Sequence, residues 1–287
     1  MAILLGLAAA ATYGAADFAG GLVSRRVNPV CVVFVSQLAG VLLVGVVLPL
    51  EGTALDANAI AWGAAAGVGG GGGVVFLYRG LARARMSVVA PITAVEAAMI
   101  PVLYGLISGE EPGWLALTGI AIALVAVALV SAPRADEAAS VEEGGRARSR
   151  LSQPGIADAL VAGLGFGCFF IFLSHAGESS GMWPLVGSKI SSISLVALAA
   201  LVARSSLKPA AGTWTGILVA GVLDAAANVF YLLASRAGLL TLAAVATSLY
   251  PASTVLLARV VLRERMSGGQ LAGLALVVAG VSMMAAG

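Results

Sequence analysis

Apolar residues in this chain come in ten long runs, and polar residues gather almost only in the breaks between them. The runs cover residues 2–22, 30–50, 59–79, 88–108, 114–132, 156–176, 182–203, 213–234, 239–260 and 268–286. Each is close to the ~20 residues with which a helix crosses about 30 Å of hydrocarbon. None alternates polar and apolar positions, as the strands of an outer-membrane barrel do. The pattern predicts an all-α polytopic membrane protein with ten transmembrane helices. Most breaks are short, which makes consecutive helices antiparallel neighbours. One is longer. Residues 133–153 are rich in Ala, Gly, Ser and both signs of charge, and read as a flexible linker. It separates a first five-helix unit, residues 1–132, from a second, residues 154–287.

Part of the first unit recurs in the second. The stretch from Met86 to Leu129 has a long apolar run, a break carrying Glu110, and a further apolar run with Gly119. Leu240 to Met283 repeats that order with Glu264 and Gly273 at the same spacing, and Thr93 aligns with Thr247. Identity between the two copies is low, so the spacing of the rarer residues carries the comparison. A duplicated apolar block points to a transporter built from two halves.

Composition sharpens the class. Of the 287 residues 60% are hydrophobic and only 10% charged, with a mean hydropathy of +1.02, whereas a soluble domain carries about 25% charged residues. The first run has no basic n-region, holds Asp17 and precedes Arg25 and Arg26, so it reads as a span and not as a cleaved signal. Cys31 and Cys168 read as small core residues without a disulfide.

Charge placement predicts orientation. Among the 16 lysines and arginines, Lys189 lies in a span and Arg236 alone flanks one set of short loops. All the others, including Arg79, Arg134, Lys208 and Arg259, flank the alternate loops or lie in the linker. The bias puts the linker in the cytoplasm and both termini outside, in the cell inner (plasma) membrane. Five helices per half then make the halves antiparallel, an inverted repeat that places Glu110 and Glu264 on opposite faces of the membrane.

Four ionisable side chains sit well inside spans: Asp17, Glu96, Lys189 and Asp224. Each costs roughly 2.5–3.5 kcal/mol at a helix centre, so they should face a cavity or one another. At 1.5 Å per residue Asp224 lies near the midplane and Glu96 within about 3 Å of it, with Lys189 and Asp17 about 5–8 Å to either side. Asp224, Asn228 and Tyr231 recur at helical spacing and form one polar stripe; Tyr13 and Asp17 form a shorter one. Together these seven residues are the candidate site for substrate and protons. Three carboxylates against one lysine leave negative charge to be met by protons or by a cationic or zwitterionic substrate. The competing account is structural pairing, Lys189 with Asp224, that locks helices together.

Other motifs point to packing. The run Gly69 to Gly73, with Gly67 before it, lacks the Lys-Ser/Thr of a phosphate loop and lies in a span. It reads as a close helix contact, with a hinge as the alternative. The pairs Gly63/Gly67 and Gly69/Gly73 could pack within the chain or between chains, so a homo-oligomer is open but not indicated. Pro91, Pro101 and Pro251 should kink their helices. His175 stands without the Cys or carboxylate neighbours of a metal site, and no nucleophile–base constellation suggests an enzyme. Trp62, Trp114, Trp183 and Trp214 lie near helix starts as interfacial anchors. No cofactor, metal or nucleic-acid partner is expected.

With these features in place, the chain resembles the EamA-type permeases of the drug/metabolite transporter superfamily over nearly its whole length. The residues that carry the resemblance are Tyr13-Gly14 and Phe166-Gly167, the segments VAPITAVEA and ATSLYPA, and the glutamates Glu110 and Glu264. Tryptophan is usual where Tyr13 and Phe166 stand, and the family's repeated proline is kept at Pro251 but is Ala97 in the first half. The resemblance implies alternating access without ATP through a central cavity lined by segments 1, 3, 4, 6, 8 and 9. It further implies secondary transport, usually export, of amino acids, metabolites or drugs. It leaves Lys189 outside the lining, and it implies cytoplasmic termini, opposite to the arginine bias. A non-transporting membrane scaffold or sensor, its buried charges structural, is the alternative function.

Overall fold

The computed structural model describes residues 1–24, 26–83, 86–130, 155–261, 263 and 266–287. Arg25, Arg85, the linker 133–153, Glu264 and Arg265 lie outside the described residues. All regular structure among the described residues is helical: α1 Ala2–Ser24, α2 Pro29–Glu51, α3 Ala57–Arg83, α4 Met86–Ile107, α5 Trp114–Val130, α6 Ile156–Ser174, α7 Trp183–Val202, α8 Trp214–Arg236, α9 Leu240–Ser248, α10 Tyr250–Val261 and α11 Gly268–Ala286. By length and composition 8 spans are long and apolar enough to cross a membrane, α9 and α10 together making one. Two shorter apolar helices, Ile92–Ile107 and Trp114–Val130, accompany them. Many of their leucines and valines, such as Leu42, Val46, Leu201 and Val278, point outward, as the lipid-facing side of a membrane bundle requires.

Local chemistry sets the helix ends. Asn28 accepts the Val30 N–H at 2.9 Å to start α2, Asp56 accepts the Ala59 N–H at 2.9 Å to start α3, and Ser267 with Gln270 forms a capping box on α11. The break between α9 and α10 falls at Leu249, just before Pro251, whose ring cannot continue the hydrogen-bond ladder. Pro101, by contrast, sits inside α4, which runs unbroken to Ile107.

Glutamate Glu110, in the loop after α4, joins the two halves. Its Oε1 accepts the Leu240 N–H at 2.6 Å and its Oε2 the Thr241 N–H at 3.0 Å, so a carboxylate of the first half caps the first turn of α9. The negative charge also meets the positive end of that helix dipole. Glu110→Ala should cost about 1 kcal/mol of stability, the usual value of a helix cap. The check is the unfolding midpoint in neutral detergent; no loss for alanine would show that water caps α9 equally well.

Helices of one half pack mainly against helices of the other. α3 lies against α6 and α7, α1 against α8, α9 and α10, α2 against α8, α4 against α6, and α5 against α11. The glycines make this possible. A Cβ on Gly63 would stand 1.9 Å from the Pro184 carbonyl oxygen and one on Gly67 2.2 Å from that of Ser188, both on α7. A Cβ on Gly69 would stand 2.6 Å from the Gly165 carbonyl oxygen on α6. Both glycine pairs are thus spent on contacts within the chain, and α3 stays helical through the glycine run. The close-packing expectation holds there, and no hinge interrupts the helix.

Candidate functional site

A cavity of about 650 Å³, its mouth included, lies at mid-span between the halves. Tyr13 and Asp17 reach it from α1, Gln37 from α2, Lys189 from α7, and Asp224 with Asn228 from α8. Phe166, Phe169 and Phe170 of α6 and Tyr250 of α10 supply aromatic walls, and Gly70, Gly71 and Ala97 leave the space open. The two aromatic–glycine pairs act here by steric means. A Cβ on Gly14 would stand 2.6 Å from the Tyr250 carbonyl oxygen, so the glycine lets α10 press onto α1 beside Tyr13. A Cβ on Gly167 would stand 2.6 Å from the Ile100 Cβ, and α4 closes on α6 in the same way.

A directed chain of hydrogen bonds crosses the cavity. Lys189 Nζ donates to Asp224 Oδ2 at 2.8 Å and to Gln37 Oε1 at 2.6 Å. Asn228 Nδ2 donates to the same Asp224 oxygen at 3.2 Å and to the Asp224 carbonyl at 2.7 Å, while Tyr13 donates its hydroxyl to Asn228 Oδ1 at 2.8 Å. Charge fixes both amides: an ammonium has only donors and a carboxylate only acceptors, so neither amide can be flipped without losing a bond. Lys189 keeps 5% of its side chain exposed and Asp224 27%, which makes this a largely desolvated pair. Asp17 is different. Its carboxyl lines the same cavity but has no hydrogen-bond or ion-pair partner among the described residues.

Of the seven residues singled out by sequence, five therefore share one cavity: Tyr13, Asp17, Lys189, Asp224 and Asn228. The other two sit elsewhere. Tyr231 is fully buried, donates to the Phe170 carbonyl at 2.8 Å and stacks on the Phe170 ring with centroids 4.4 Å apart. With Phe169, Leu173, Met182 and Leu185 it belongs to one buried apolar cluster on the side of the cavity nearer the end of the bundle that carries Glu110. Glu96 turns toward α6, where a Cβ on Gly163 would meet its Oε2 at 2.6 Å, and that oxygen is buried without a partner. The neighbouring Ala97 takes the place on the cavity wall.

Near the same end, His175 lies between α3 and α4. Its Nε2 is 2.8 Å from the Tyr104 hydroxyl and its ring 5.0 Å from that of Trp62, while Nδ1 bonds the Ile171 carbonyl. Toward the other end Arg79 bonds Asp158 and lies 4.5 Å over the Phe76 ring, tying α3 to the start of α6. Both cysteines are free.

Comparison with known proteins places this architecture. The model of the EamA-like transporter family matches residues 1–132 and 153–286. The chain belongs to the EamA-like transporter family. That family is part of the drug/metabolite transporter superfamily, and its members are transporters rather than enzymes. This EamA-like chain is accordingly a multi-pass membrane protein. A crystal structure described simply as "Crystal structure of protein" superposes with a TM-score of 0.77 at 20% identity, covering 98% of this chain and 95% of the other, which establishes a shared fold. No curated protein matches the chain.

Sequence reasoning missed Gln37, Tyr250, Ser188 and Ser192 in the lining of the EamA-like cavity. Gln37 could have been found by the rule that found Lys189, since an uncharged amide deep in a span also needs a partner. Tyr250 aligns with Glu96 in the duplicated block, a signal that position in the repeat would have supplied.

Proposed function

We propose that this protein is a secondary transporter that carries a small polar metabolite or drug through the mid-span cavity by alternating access, in exchange for protons. The observation that carries the reading is a cavity walled by side chains of both halves, with charged, amide and aromatic groups facing into it. A scaffold with purely structural charges would have no use for such a hollow, nor for a carboxyl left unpaired inside it.

The helix pairing supports an inverted repeat. Exchanging the halves turns the contact of α3 with α6 and α7 into that of α8 with α1 and α2, and turns α4 on α6 into α9 and α10 on α1. The close approach of Gly67 to Ser188 has its counterpart in Gly221, whose Cβ would stand 2.1 Å from the Ser36 carbonyl oxygen. Residues 1–132 and 154–287 are then the repeats, joined by a cytoplasmic linker with both termini outside.

Flux through purified protein in liposomes tests the proposal. Liposomes holding the protein should release loaded organic solutes faster than protein-free ones, and an imposed pH gradient should drive accumulation that a protonophore abolishes. Val74 of α3 lines the cavity, and Val74→Trp should fill it and stop flux while leaving the protein folded. Equal release with and without protein, for amino acids, amines and organic anions alike, would refute transport; accumulation indifferent to the pH gradient would remove proton exchange.

A further inference from the structure

We infer that the cargo of this cavity is an organic monocation, an amine or quaternary ammonium with an apolar body, and that Asp17 is its counter-ion. The inference rests on the transport reading for the word cargo, but its binding claim stands on the charge and shape of the lining alone.

Among the described residues, the acidic and basic side chains that line the cavity are Asp17, Lys189 and Asp224. Lys189 and Asp224 cancel, each holding the other and each held again, Lys189 by Gln37 and Asp224 by Asn228. The Asp17 carboxyl remains, without a partner among the described residues. An anion would find no free cation there; to reach Lys189 it would have to displace Asp224 or Gln37 from a side chain that is only 5% exposed. A zwitterion meets the same obstacle at its carboxylate. A neutral ligand would strip water from Asp17 and return nothing, which is the costly outcome for a charge.

The walls choose between kinds of cation. Tyr13 lies one turn from Asp17 on α1, and Phe166, Phe169, Phe170 and Tyr250 complete the aromatic surround. Ring faces attract ammonium groups that have shed their water. A hard metal ion needs a cage of several oxygens, and Asp224, the other carboxylate in the lining, is already committed to Lys189. The same rings give an apolar body attached to the charged head a surface to pack on.

Titration calorimetry of the full-length protein in neutral maltoside micelles tests this. The probes are benzyltrimethylammonium, 3-phenylpropanoate and phenylalanine, which share a phenyl body and differ in charge. Only benzyltrimethylammonium should bind. Asp17→Asn should weaken it at least about tenfold, the scale of a lost charge-assisted contact, and Asp17→Glu should restore most of the affinity. Tyr250→Leu should weaken it less, by about three- to tenfold. Asparagine at position 17 breaks no bond within the protein, and thermal unfolding of each variant verifies folding. Binding of phenylalanine or 3-phenylpropanoate as tight as that of the cation would overturn the inference, as would an Asp17→Asn variant with unchanged affinity. If benzyltrimethylammonium binds through Asp17 yet no probe crosses the liposome membrane, the cation site stands and transport falls. If phenylalanine is carried and benzyltrimethylammonium is neither bound nor carried, transport stands and the cation site falls.

Discussion

Asp224→Ala should destabilise the folded protein by about 3–5 kcal/mol, because it strands the Lys189 ammonium among apolar helices with only Gln37 for a partner. Lys189→Met should cost less, since Asp224 is 27% exposed and can recover some water from the cavity. Combining the two substitutions should restore much of the loss, because the desolvation of both charges disappears together with their attraction. Non-additivity of this kind, at about 0.5–3 kcal/mol, is how directly coupled residues behave. The measurement is a double-mutant cycle of unfolding free energies in mixed micelles. Strict additivity of the single losses would mean that the two charges do not depend on each other.

Gly67→Ala should also be damaging, at about 1–3 kcal/mol, the cost of an added methylene in a packed contact that cannot relax. The atom in the way, 2.2 Å from the new Cβ, is the Ser188 carbonyl oxygen, and backbone cannot rotate aside as a side chain can. Gly45→Ala is the control: its Cβ position has nothing within 4 Å, so alanine there should stabilise α2 by about 0.5–1 kcal/mol through helix propensity. Midpoints of thermal unfolding for the two variants should move in opposite directions. A common shift would mean that backbone entropy, and not helix contact, sets the glycine content of these spans.

Much of the helical architecture could be read in the sequence, because lipid permits so few ways to satisfy a backbone. The span 239–260 was recognised whole, and only the position of its break needed coordinates: Pro251 announces a disturbance, but Leu249 is where the ladder opens. The site was legible in part. Asp224 and Asn228 share a face through helical periodicity, and Lys189 was visible as a charge with nowhere to go. Glu96 shows where that logic ends. Depth along a helix follows from counting residues, but azimuth does not, and a rotation of about 100° between neighbours puts Ala97 on the cavity and Glu96 on Gly163. Tyr231 has the right azimuth but stands two turns from Asp224, outside the cavity lining and within the buried apolar cluster. Gln37 was hidden because one amide in an apolar run has no periodic partner on its own helix; its partner is on α7.

The glycine contacts also bear on what moves. Backbone touches backbone where α3 meets α7 and α6, and again where α8 meets α2. Helices clamped so closely travel as one piece. Each clamped set joins helices from both sides of the linker, so a body that moved as one would not coincide with residues 1–132 or 154–287. Lys189 rides on one set, Asp224 and Gln37 on the other, so any displacement of one set against the other would stretch or break that bond.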